Sequence, residues 1–219
     1  MLIIPNLIVP VLNRYDLLRR MLASLDYPIR DLLIVDNGGK FEDLFAKDEL
    51  PVKNLRVLNL PSNLGVATSW NLGIKLFPHD DRWTFASNDM YFRPGDLKLL
   101  STASSGSLTL SQHYPYFHTW AVGETVIDRV GLFDERFVPA FFEDTDFLRR
   151  VQMGGLPVTR LDVAPAHDNS STLHSDPRFK ERNNETFQRN KRLNMRKTAG
   201  NQNGWTWTLK DARAGDWLR

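Results

Sequence analysis

Short, uninterrupted apolar runs alternate with amphipathic stretches through the first ninety or so residues, and that alternation leaves the chain few folds to adopt. Leu2–Val9, Leu32–Val35, Leu55–Leu60 and Trp83–Ala86 each read as short, mainly apolar strands. Leu17–Leu25, and the run through Val66, Ala67, Trp70, Ile74 and Phe77, have helical spacing instead. Asn13 and Asp16 can cap the first of these helices. Buried strands alternating with helices make parallel βαβ units, so the expectation is an α/β fold whose mostly parallel sheet is flanked by helices on both faces.

The second half is less regular. Ser104–Leu110, Trp120–Val122 and Val158–Val163 read as strands and Thr125–Val130 as a short helix. Glu143–Met153 is a helix with an apolar stripe of Phe147, Leu148 and Val151, stopped by Gly154 and Gly155. From His167 to Pro177 the chain is polar and loop-like. The segment after it, Arg178 to Lys197, holds eight Lys/Arg against Glu181 and Glu185, a charge of +6; set against +2 for the whole chain, the remainder is −4. A basic arm on a slightly acidic body is either a solvated helical face or a contact for an anion. We expect one domain over 1–175, split at 92/93, and an irregular basic extension over 176–219.

The chain has no cysteine, which excludes disulfides and thiolate metal sites. The apolar N-terminus lacks a basic leader and is broken by Pro5 and Asn6, and no stretch approaches the roughly 20 apolar residues of a membrane span. A cytoplasmic protein is expected.

Four strands end in polar residues: Pro10 and Asn13-Arg14, then Asp36-Asn37-Gly38, then Asn63 and Gly65, then Ser87-Asn88-Asp89. Each set alone is a turn or a site. Together they fall on one edge, because open α/β sheets bind ligands beyond the carboxyl ends of their strands. No G-x-G-x-x-G follows the first strand and no G-x-x-x-x-G-K-[ST] occurs, which disfavours dinucleotide and P-loop enzymes. A diphosphate here needs another source of positive charge, and Asp89 is suited to holding a hard divalent cation.

The ordered set I-V-P-V-L-N-R, L-L-I-V-D-N-G, N-L-G-V-A-T-S-W-N-L-G and S-N-D resembles the nucleotide-sugar half of family 2 glycosyltransferases with the GT-A fold, built on a Rossmann-like sheet. G-L-F-D-E-R-F and F-F-E-D-T-D-F-L-R-R resemble that family's acceptor half, so the similarity spans roughly residues 2–170. The resemblance implies an inverting transferase using Mn2+ or Mg2+. It implies that Asp89 binds the metal with His167 (His174 is the nearby substitute), and that Ser87 replaces the family's first aspartate. Pro10, Asn13, Arg14, Asp36, Asn63, Gly65, Ser87 and Asn88 would line the donor pocket. Asp144 would be the base, with the helix dipole keeping it ionised, and Trp120, Glu143 and Asp146 would meet the acceptor.

The implied acceptor is a glycan, a lipid-linked sugar or a hydroxymethylated DNA base. The rival expectation is a non-catalytic nucleotide-sugar-binding or nucleic-acid-binding module on the same fold.

Overall fold

The computed structural model describes residues 3–41, 50–167, 177–197 and 207–214. The first half follows the apolar pattern: β1 (Ile4–Val11), α1 (Tyr15–Ala23), β2 (Ile29–Asp36), β3 (Val52–Asn59), α2 (Val66–Leu76) and β4 (Arg82–Ala86). β1 pairs in parallel with β2 and β4, and β2 in parallel with β3. Successive residues along β1 and β2 are buried on opposite faces. Ile8, Leu33 and Val35 face α2, whereas Leu7, Val9, Leu32 and Ile34 pack with Leu18, Met21 and Leu22 of α1. Strands buried on both sides are why these runs read as continuously apolar.

Beyond β4 come β5 (Met90–Tyr91), α3 (Asp96–Leu100), β6 (Leu108–Ser111), β7 (Thr119–Gly123), α4 (Glu124–Val130), α5 (Glu143–Met153), β8 (Val158–Leu161) and β9 (Ala166–His167). The seven-stranded sheet has the order β3-β2-β1-β4-β7-β6-β8, and β5 and β9 form a separate ribbon. This half is mixed, because β7 runs antiparallel to both β4 and β6. The loop 112–118 between β6 and β7 is too short for a parallel crossover.

Two caps differ in kind. Asn13 does not cap α1; Arg14 holds that position and forks onto Asp16 at 2.8 and 2.6 Å. α5 ends as its glycines imply. Gly155 takes a φ of 67°, and Gly155 and Leu156 return hydrogen bonds to Gln152 and Val151, the Schellman arrangement.

The C-terminal segment is helical where described, as α6 (Pro177–Arg196) and α7 (Leu209–Ala214). Leu209 is buried in the same cluster as Trp70, and Arg213 donates to the carbonyls of Pro78 and Asp80 and pairs with Glu124 at 2.6 Å. Among the described residues no helix is long and apolar enough to cross a membrane.

Candidate active site

β1 and β4 are neighbours, yet the chain leaves them toward opposite edges of the sheet. That makes the gap beyond their carboxyl ends the switch point where α/β folds bind ligands. Three loops are laced together there. Asn88 Nδ2 donates to the Arg14 carbonyl at 3.2 Å, and the Ser87 amide donates to the His118 carbonyl at 2.8 Å. Pro10 sits at the end of β1, in register with Val35, and Asn13 and Arg14 are half-buried beside it.

Asp36 ends β2 and is fully buried. Its Oδ1 accepts from the Tyr15 hydroxyl at 2.7 Å and the Gly38 amide at 2.9 Å, and its Oδ2 from the Phe41 amide at 2.8 Å. A carboxylate offers about four acceptor positions, so this one is largely spent on its own turn. Burial and donation to Asp36 push the Tyr15 hydroxyl up to about 12. Gly38 is obligatory, since a Cβ there would lie 2.0 Å from the Leu12 carbonyl oxygen.

Asn37, to which the sequence reading gave no role beyond the turn, joins β2 to α2. Its Nδ2 donates to Ser69 Oγ at 2.8 Å and its Oδ1 accepts from the Leu64 amide at 3.0 Å. Asn63 Oδ1 accepts from the Gly65 amide at 3.0 Å. Gly65 has a φ of 89°, and a Cβ there would come within 2.8 Å of the Pro139 carbonyl oxygen, which accepts from the Val66 amide. The glycine is therefore set by the loop that leads into α5.

Asp89 is buried at 8% exposure, one residue before β5. Met90 pairs with His167, so the β5–β9 ribbon brings the backbones at 89 and 167 together across 78 positions of sequence. The His167 side chain and His174 lie outside the described residues. Among the described residues no three His, Cys, Asp or Glu side chains gather as a cation site. A carboxylate and an imidazole suit Mn2+, with Mg2+ using mainly oxygen, and either ion would complete its shell from donor phosphates and water.

The entry to α5 is strained. Phe141 and Phe142 hold φ values of 75° and 74°, a left-handed conformation bulky residues rarely adopt. α6 holds them there: Phe187 packs against both rings at 5.4 and 5.0 Å, and the fully buried Asn190 donates to the Ala140 carbonyl at 2.9 Å. Asp144 follows, half-buried, its Oδ1 accepting from the Thr145 amide at 2.6 Å. Burial pushes its carboxyl above the ordinary aspartate value, against the expectation that the helix dipole alone would govern it.

Glu143 is 5% exposed and its Oε2 has no hydrogen-bond partner among the described residues. Burial, then the charge of Asp144, holds its carboxyl well above the usual range.

Two expected acceptor residues are elsewhere. Asp146 is 0% exposed and binds Arg150 at 3.0 Å, Arg149 at 3.1 Å and Lys197 at 2.7 Å, so its oxygens are committed to joining α5 to the end of α6. Trp120 is also 0% exposed. It lies in register with Phe85, stacks on that ring at 4.1 Å and meets Trp70 edge-on at 5.1 Å, which makes it core.

Residues 6–108 match the family model described as glycosyl transferase family 2. That stretch is a little under half of the chain, and the α/β sheet is of GT-A type by its structural neighbours. Its structure is similar to a Drosophila β-1,4-galactosyltransferase 7 variant in complex with manganese, UDP-Gal and xylobiose, with a TM-score of 0.54, 16% identity and coverage of 79% of this chain and 74% of that one. It is similar also to S. aureus TarS 1-349 in complex with UDP, with a TM-score of 0.54, 17% identity, and coverage of 73% and 58%. The match thus spans little more than half of that TarS fragment. No curated protein matches the chain significantly.

Proposed function

We propose that the chain is a metal-dependent, inverting glycosyltransferase that moves a sugar from a nucleoside-diphosphate sugar to a hydroxyl of a glycan or lipid-linked sugar. The observation that carries this reading is the Met90–His167 pairing, which brings the His167 backbone next to the residue that follows Asp89. The complexes of the two similar structures with UDP-Gal and manganese, and with UDP, support it.

The donor's nucleotide lies over the ends of β1 and β2, against Pro10, Asn13 and Arg14, with the Asn37–Ser69 and Asn63–Gly65 contacts fixing the floor. Asp89 and His167 would hold Mn2+ or Mg2+, which when bound would supply Lewis-acid stabilisation of the negative charge on the departing diphosphate. Asp144 takes the proton from the acceptor hydroxyl. That oxygen bonds to the anomeric carbon as the carbon–phosphate oxygen bond breaks, and the electron pair leaves with the nucleoside diphosphate. The raised Asp144 carboxyl suits the task, since a base works best when its proton affinity approaches the working pH. Glu143, buried beside it, orients the acceptor.

Release of nucleoside diphosphate from a panel of nucleotide sugars, with Mn2+ present, tests the reading. Wild type should turn over at least one donor, and Asp144→Asn should lower kcat by about 100-fold to 10,000-fold with little change in donor affinity. A chain that binds donors but releases no diphosphate from any of them, with or without acceptor glycans, would be a binding module instead.

A further inference from the structure

A cleft of about 480 Å3 opens beside the entry to α5, lined by Arg136, Arg189, Arg192, Leu193 and Arg196. Arg189, Arg192 and Arg196 fall at i, i+3 and i+7, so they stand on one face of α6 over about 10 Å of its axis. Arg136 closes the cleft from the loop that carries Pro139 and the strained pair before Asp144.

Only part of the charge here is neutralised from within, through the Arg136–Asp134 pair. Asp134 and Asp146 are already shared among Arg136, Arg149, Arg150 and Lys197. Arg189 donates to the Val138 carbonyl and to Asn190, which carry no charge. Neither Arg192 nor Arg196 has a carboxylate partner among the described residues. Among the described residues no carboxylate lines the cleft and every cation lining it is arginine, whose planar fork matches phosphate oxygens two at a time.

The helix arginines are exposed and stand on one face, so an anion bridging them would gain from several charges at once. A solvated helix face would spread its charges, whereas these four converge on one volume with an apolar floor at Leu193. We infer that the cleft is an acceptor subsite for a terminal phosphate or pyrophosphate group, an inference that rests on the transferase reading above. The acceptor is accordingly a phosphorylated glycan, free or carried on a lipid. A compact, multiply charged group fits a single cleft better than a strand whose phosphates are strung apart.

Titration of the full chain with inorganic pyrophosphate in EDTA tests this, because removing divalent cations leaves the donor's diphosphate position without its counter-charge. Wild type should bind. The double variant Arg192→Gln/Arg196→Gln should bind at least about tenfold more weakly, Asp89→Asn should bind as wild type does, and Arg192→Lys/Arg196→Lys should fall between. The substituted side chains have no described ion pairs, so melting curves of the variants should overlay the wild type.

Vesicles containing phosphatidic acid, set against phosphatidylcholine alone, separate the two sources. Capture that the double Gln variant loses indicates a lipid-borne group, and pyrophosphate binding without capture indicates a free one. No binding to pyrophosphate in EDTA, equal binding by the double Gln variant, or far tighter binding of short oligothymidylate would each overturn the inference. Should no donor ever be hydrolysed, the transferase reading fails while the EDTA titration still reports on the cleft.

Discussion

At the scale of single residues, the two carboxylates that open α5 are governed by burial rather than by the helix dipole. Glu143 is the sharper case, because one of its oxygens is both buried and without a partner among the described residues. Its carboxyl is raised in the folded chain, so the stability it contributes is complete below the ordinary glutamate value. That stability is lost as pH rises through the folded value. Glu143→Gln cannot ionise. Its melting temperature should match wild type near pH 4 and exceed it near pH 8 by roughly 2–4 °C, which is what 1 kcal/mol is worth in a chain of this size. Acceptor turnover should fall in the same variant. A melting difference that does not change with pH would mean that Glu143 is charged and satisfied in the fold.

Between elements, the basic arm acts chiefly as a brace. Asn190 and Phe187 of α6 hold Phe141 and Phe142 in a backbone conformation they would otherwise leave, and Lys197 closes on Asp134 and Asp146. Burial, the largest single influence on Asp134, acts to raise its carboxyl, but the Arg136 and Lys197 hydrogen bonds outweigh it and bring it to about 2. Asn190→Ala removes a buried donor from the Ala140 carbonyl and should cost about 1–3 kcal/mol. Because the loss falls on the entry to Asp144, kcat should drop by more than KM changes, as seen by comparing initial rates with a melting curve. Unchanged kcat in a destabilised variant would mean that the brace serves the fold alone.

Much of this could be read from the residues. Strands buried on both faces reveal themselves as apolar runs, and the polar residues that end them fall on one edge because parallel strands share a direction. What could not be read depends on partners far along the chain. Asp146 lies where an acceptor residue would stand, but Lys197, 51 positions later, claims it. Trp120 could stand on a wet or a dry face as far as its sequence goes, and it is core because β7 is buried on both faces. The two-residue ribbon that seats His167 beside Met90 is too short to leave any periodicity.

For the whole molecule, the claim is that one cleft is assembled from three distant parts of the chain: the end of β4, the β9 strand and the head of α5. The N-terminal half is fixed by the parallel sheet, and the loop leading into α5 is tied to α2 through Pro139 and held by α6. Anomalous diffraction from crystals grown with Mn2+ and a nucleoside diphosphate measures this most directly. A manganese peak should lie within coordination distance of both Asp89 and His167, with the diphosphate on it and the Asp144 carboxylate facing the same cavity. A peak bound by neither residue, or an Asp144 that opens onto a different surface, would contradict the claim.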